Sequence, residues 1–130
     1  MQTNSLYSLL TTLRNSQKAN KNYIVHPYTK TLLSVITILY KEGFIRGFFL
    51  KQINGKKNIC VLLKYKDDQA VIKEISTDSF PKSNFSVKQK EIMKKYNGKG
   101  LTFLSTNIGI ITNETAFKKK KGGKILFKIK

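Results

Sequence analysis

A mixed α/β (α+β) architecture in two small lobes is the fold class this sequence predicts, and three observations carry it. Apolar residues recur at helical spacing in two N-terminal segments. From Phe44 onward the pattern changes to short β-type runs separated by turn residues. The stretch STDSFPKSN is the most loop-like in the chain, so the expected lobes are residues 1–76 and 77–130. With 130 residues, 40% of them hydrophobic, the chain is long enough to bury a core and is not a disordered basic tail.

Leu6, Leu9, Leu10 and Leu13 fall at i, i+3, i+4 and i+7 and line one face of a first helix, which polar NSQKANKN ends. YIVHP reads as a short strand stopped by Pro27, which has no N–H to extend a ladder. Thr29 is the expected N-cap of a second helix. That helix carries Leu32, Val35, Ile36 and Leu39 on one side, with Leu33 and Tyr40 beside them. It ends at Gly43, the residue best suited to a left-handed C-terminal conformation. FIRGFFLKQI and NICVLLKY follow as a hairpin about Asn54-Gly55. The aromatic run from Arg46 matches part of an RNA-recognition strand signature. A second Phe replaces its small residue, however, and Lys51 replaces an apolar one, so a buried hairpin strand is expected instead.

KDDQ marks a second turn, leading into AVIKEI and then the loop. The second lobe is expected to contain a short strand around Phe85 and Val87, a helical turn or two over KQKEIMKKY, and the breaker NGKG. After these come the strands LTFLS and GIIT, a helical turn from Asn113 to Lys118, and a last strand, KILFKI.

Twenty-five Lys and Arg stand against seven Asp and Glu, a net charge of +18 that needs an anionic partner. The lysines are spread from Lys18 to Lys130 and no stretch approaches the roughly 20 apolar residues of a spanning helix, which favours nucleic acid over membrane. Cys60 is the sole cysteine, so no internal disulfide or cysteine-based metal cage is expected, in agreement with a reducing compartment. The N-terminus lacks a secretory pattern. His26, the only histidine, lies in a short strand and is assigned a structural or surface role. Asp67-Asp68 belongs to a turn. Gly123-Lys124 fails as a phosphate loop, because Lys118 and Ile125 occupy the positions that require Gly and Ser or Thr. No catalytic residue, cofactor or metal site is expected.

Four ordered fragments carry a more specific signal: LLTTLRNSQKANK, KEGFI, LKYKDDQAVIKEI, and LSTNIGIITNETA followed by KGGKILF. Together they resemble the eighth protein of the small ribosomal subunit in its bacterial and organelle form, from about Leu6 to Ile129. The resemblance implies two α/β lobes and direct binding to the central domain of small-subunit ribosomal RNA during assembly. It also implies ribosomal protein neighbours, no catalysis, no membrane and no small-molecule substrate. The competing readings are a non-ribosomal RNA chaperone or regulator on the same fold and a small nuclease, for which the sequence offers no acidic cluster.

The RNA-binding residues implied are Thr11, Arg14, Asn15, Thr29 and Lys30 in the first lobe. In the second they are Ser105, Thr106, Asn107, Gly109, Lys118, Lys119, Lys120, Lys121, Gly122 and Gly123. A-form RNA is read through its shallow minor groove and 2′-hydroxyls, a task suited to small hydroxyl residues beside glycine. Ser105 and Thr106 can donate and accept, Gly109 admits close approach, and the four lysines lie next to a Gly-Gly backbone that RNA can approach. Arg14 is suited to a bidentate phosphate contact. The chain departs from the family pattern at Asn107-Ile108, where Ser-Lys is usual, at Ser86, where tyrosine is common, and at Lys124, where an acid commonly follows Gly-Gly. These departures alter individual contacts and leave the basic field intact. The preference for Lys over Arg, with frequent Asn and Ile, looks like AT-rich coding. A mitochondrial-matrix ribosome is therefore expected, with plastid or bacterial cytoplasm as alternatives.

Overall fold

The computed structural model describes residues 3–77 and 100–130. The chain divides into two compact units, Met1–Ile72 and Lys73–Lys130. The strand expected at Phe85 and Val87, the helical turns of KQKEIMKKY, and Ser86 lie outside the described residues.

The first unit runs α1 (Thr3–Lys18), β1 (Tyr23–Pro27), α2 (Lys30–Lys41), β2 (Gly47–Ile53) and β3 (Lys56–Leu62), then a two-residue ribbon of β4 (Tyr65–Lys66) and β5 (Gln69–Ala70). The leucines of α1 and Leu32, Val35, Ile36 and Leu39 of α2 are buried together with Ile24, Ile59 and Val61. Each such side chain contributes about 1.5–3 kcal/mol by leaving water. Thr29 caps α2, its Oγ1 accepting from Leu32 N–H at 3.1 Å. Both helices end in Schellman turns. At α1, Lys21 N–H donates to Ser16 O and Asn20 N–H to Gln17 O. At α2, Phe44 N–H donates to Leu39 O and Gly43 N–H to Tyr40 O. Asn20 and Gly43 supply the positive φ these turns need.

The sheet order is β1-β3-β2, antiparallel throughout. Asn54 and Gly55 turn the β2–β3 hairpin with φ of 52° and 77°, and Asp67 and Asp68 do the same between β4 and β5. The expectation that β2 is a buried strand is corrected: Phe49 and Leu50 are 48% and 45% exposed. β2 is a sheet edge, flanked by a strand on one side only. His26 is buried in β1, with Nδ1 3.1 Å from Pro27 O and Nε2 3.4 Å from Ser8 Oγ, which is a structural placement.

The second unit contains β6 (Ile75–Ser76), β7 (Leu101–Thr106), β8 (Gly109–Thr112), α3 (Asn113–Lys118) and β9 (Lys124–Ile129), in the sheet order β6-β9-β7-β8. The segment 75–76 pairs with β9 although it precedes the expected lobe boundary. The C-terminus is tied to it, since Lys130 N–H donates to Glu74 O while Lys130 O accepts from Lys73 and Glu74 N–H. Phe103 and Phe127, opposite each other on β7 and β9, stack at 4.4 Å. Leu104, Ala116 and Ile125 form a buried cluster with Ile111 against it, which seats α3 on the sheet. Thr112 caps α3 through its Oγ1.

Candidate nucleic-acid interface

In the second unit, pairing brings together segments that are far apart in sequence. β7 and β8 form a tight hairpin in which Thr106 pairs with Gly109 across Asn107-Ile108. On its other side β7 pairs with β9, and Ser105 lies opposite Lys124. The Gly122-Gly123 step therefore runs beside the hydroxyl pair. Asn107, Ile108, Gly109, Gly122 and Lys118 to Lys120 are exposed, while Ser105, Thr106 and Lys121 are half-buried.

The bonds Thr106 makes within the hairpin limit what it can offer a ligand. Thr106 Oγ1 donates to Gly109 O at 2.8 Å and accepts from Ile108 N–H at 3.2 Å, so its only proton is engaged in closing the hairpin. What Thr106 Oγ1 has left for a ligand is one lone pair, not the donor that the sequence suggested. Gly109 has a φ of +111° with open space where a Cβ would stand. Glycine is required there by the turn, and the position is also open to a ligand.

The Gly-Gly step departs from expectation in a similar way. Gly123 is buried, and a Cβ on it would lie 2.5 Å from Ser105 O and 2.7 Å from Thr106 Cγ2. The close approach expected of RNA at this glycine is made by the chain's own β7 backbone. Gly123 thus acts as a spacer that sets the hydroxyl hairpin against the start of β9.

The lysine run is a helix terminus. Lys121 N–H donates to Ala116 O and Lys120 N–H to Phe117 O, a third Schellman turn. Here the left-handed position is filled by Lys120, with a φ of 52°. A side chain with a Cβ costs about 1–2 kcal/mol in that conformation. The strain places a lysine where glycine would be cheaper, in a turn that fixes the direction in which the run leaves α3.

In the first unit Thr11, Arg14 and Asn15 share one face of α1, at i, i+3 and i+4, opposite the buried leucines. Thr11 and Asn15 are exposed and Arg14 is half-buried. Thr11 Oγ1 donates to Tyr7 O at 2.9 Å. Thr29 and Lys30 stand at the N-terminus of α2, which has no acidic residue in its first turn. A lysine there opposes the helix dipole, and the uncompensated N–H groups and the cation both favour an anion. Thr29 has its oxygen committed to the cap, a use that its position just before the apolar periodicity had already signalled.

Among the described residues no group of three or more His, Cys, Asp or Glu side chains could hold a metal ion. No described helix is long and apolar enough to cross a membrane.

The family profile described as Ribosomal protein S8 matches residues 4–129. The chain is 35% identical to the small ribosomal subunit protein uS8 of Paramagnetospirillum magneticum over 98% of its own length and 97% of the relative's. It is 35% identical to the uS8 of Rhodospirillum centenum and 36% identical to that of Gluconobacter oxydans, each over 95% of both chains.

Proposed function

From the premise that this chain belongs to the ribosomal protein S8 family, we propose how its two units serve a place in the small ribosomal subunit. The protein is a structural constituent of that subunit, bound to small-subunit ribosomal RNA among neighbouring ribosomal proteins, and is not an enzyme. Its RNA target is the central domain, which it binds directly during assembly. Recognition falls to the β7–β8 hairpin, through Ser105, Asn107, the Thr106 lone pair and the backbone at Gly109. Affinity falls to Lys118, Lys119, Lys120 and Lys121 beside Gly122, with Gly123 as the spacer. Thr11, Arg14, Asn15, Thr29 and Lys30 form the phosphate-facing set of the first unit.

The observation that carries this assignment is the packing of Gly123 against Ser105 and Thr106, which joins a hydroxyl-bearing hairpin to a lysine run. Phosphate contacts position a protein on RNA without specifying sequence, while contacts to base edges and sugars specify the site. The test compares a Ser105→Ala/Asn107→Ala variant with one in which the four lysines become Gln. Each is titrated against the cognate RNA helix and a regular duplex at several salt concentrations, after thermal unfolding confirms the fold. The hairpin variant should lose about 5- to 150-fold in discrimination, the equivalent of roughly 1–3 kcal/mol of unmade hydrogen bonds. The lysine variant should weaken on both RNAs alike. The reverse pattern refutes the division of roles.

The ribosome that holds this protein is, on this reading, that of a mitochondrion. The support is a basic set that is lysine except for Arg14 and Arg46, together with abundant Asn and Ile, as in AT-rich genomes. Cell fractionation that finds the protein in a plastid or in bacterial cytoplasm overturns this point and leaves the ribosomal role standing.

A further inference from the structure

β1 forms one edge of the three-stranded sheet, and its hydrogen-bonding phase can be read from its ends. Leu63 N–H donates to Asn22 O at 2.9 Å and Tyr28 N–H to Lys57 O at 3.1 Å. The register between them pairs Tyr23 with Leu62 through to Pro27 with Asn58. In an antiparallel ladder, pairs that exchange both bonds alternate with pairs that exchange none. Asn22, Ile24, His26 and Tyr28 are thus bonded to β3, while Tyr23, Val25 and Pro27 turn their backbone groups to the open side. Pro27 brings no N–H there and its carbonyl lies 3.1 Å from His26 Nδ1, so that end is blunted. Tyr23 and Val25 keep two N–H and two C=O groups that point outward with no partner among the described residues.

A groove of about 530 Å³ lies against this edge. Thr12 and Ser16, one helical turn apart on α1, line it from the helix, and Tyr23 and Val25 line it from the strand. Small side chains on the helix wall leave room for a main chain between helix and edge. Lys21 is also in the lining, which includes no acidic residue.

We propose that this groove receives a fourth strand: an extended, acidic segment of a neighbouring small-subunit protein, paired with the outward groups of Tyr23 and Val25. The inference rests on the placement of the chain in the small subunit. Strand addition satisfies alternating donors and acceptors at the two-residue repeat of a polypeptide. An RNA backbone offers phosphate acceptors and 2′-hydroxyl donors, but not in the alternating donor and acceptor order that a strand edge repeats every two residues. A second copy of this chain brings a charge of +18 against +18. A carboxylate opposite Lys21 is complementary.

The experiment uses the full chain, free and in assembled small subunits isolated by sedimentation. In the free protein the Tyr23 and Val25 amides should exchange with solvent about 100-fold faster than those of Ile24 and His26, and in the subunit they should become protected. A photo-crosslinking residue at Tyr23, which is 56% exposed, should give a nuclease-resistant adduct with a different protein. Val25→Pro removes one outward N–H without touching the ladder to β3. Lys21→Glu reverses one exposed charge and tests the same contact should the proline variant fail to fold. Each variant should lower adduct yield about fivefold or more while still entering the subunit, as expected when one partner of an interface contact is removed. A nuclease-sensitive adduct, an adduct of twice the chain's mass, or unprotected amides in a subunit that contains the protein overturns the proposal alone. Failure of the unmodified chain to sediment with the subunit overturns the ribosomal placement and this inference with it.

Discussion

Gly123→Ala tests whether the second unit is built as described. The added methyl would lie 2.5 Å from Ser105 O, 2.7 Å from Thr106 Cγ2 and 3.2 Å from Ser105 C. Two of these three atoms are backbone of β7, whose Leu104 is fully buried and held against Ala116 and Ile125. The obstacle cannot swing aside as a flexible side chain would. Overpacking against such a neighbour costs about 1–3 kcal/mol. Replacing glycine within extended backbone returns about 0.5–1 kcal/mol of conformational entropy. The net expectation is a loss centred on about 1 kcal/mol and at most about 2.5 kcal/mol, or roughly 4 °C and at most about 9 °C in Tm for a chain of this size. Affinity for the cognate RNA should fall too, because the start of β9 must move away from Ser105. Urea unfolding and RNA titration measure both effects. Unchanged stability and unchanged RNA affinity in Gly123→Ala would refute the claim that this glycine spaces the hairpin from β9.

Lys120→Gly should raise stability by about 1 kcal/mol by relieving the left-handed strain, and should lower the magnitude of the salt slope of RNA binding by about 1 if that lysine meets a phosphate; chemical denaturation and filter binding measure the two. If the chain contacts roughly six phosphates, the log–log slope of affinity against salt should be on the order of −4 to −5, and a slope near zero removes the electrostatic argument. Tyr65 donates from its hydroxyl to Lys21 O at 2.6 Å, and desolvation by burial raises its pKa above 10.0. The folded state therefore favours the neutral phenol, and its contribution is present below pH 10 and lost as pH rises through the raised pKa. Phenolate absorbance should report late ionisation of Tyr65, and Tyr65→Phe should lose about 0.5–1.5 kcal/mol at neutral pH together with this alkaline dependence.

Much of this fold depends on short-range rules, and that part was legible in the sequence. The leucine spacing of α1, the Thr29 cap, Gly43 at the end of α2 and the Asn54-Gly55 turn each depend on neighbours within a few positions. The net charge of +18 and the ordered fragments pointed to RNA and to the family for the same reason: they are properties of the chain, independent of its path. The third Schellman turn was not legible, because nothing local marks Lys120 for a left-handed conformation that lysine disfavours. Nor was the role of Gly123, which is defined by a strand eighteen residues earlier.

What only the tertiary structure decided is which backbone and side-chain groups are left over once pairing is complete. The Thr106 proton is consumed by Gly109, Phe49 and Leu50 stay exposed because β2 is an edge, and Tyr23 and Val25 face outward because β1 is an edge whose bonds to β3 are made by Asn22, Ile24, His26 and Tyr28. The physical reason is that a hydrogen-bonding group is available only if no other part of the chain has taken it. Whether one has is settled by pairing between residues distant in sequence, which local propensity and hydrophobic period do not encode.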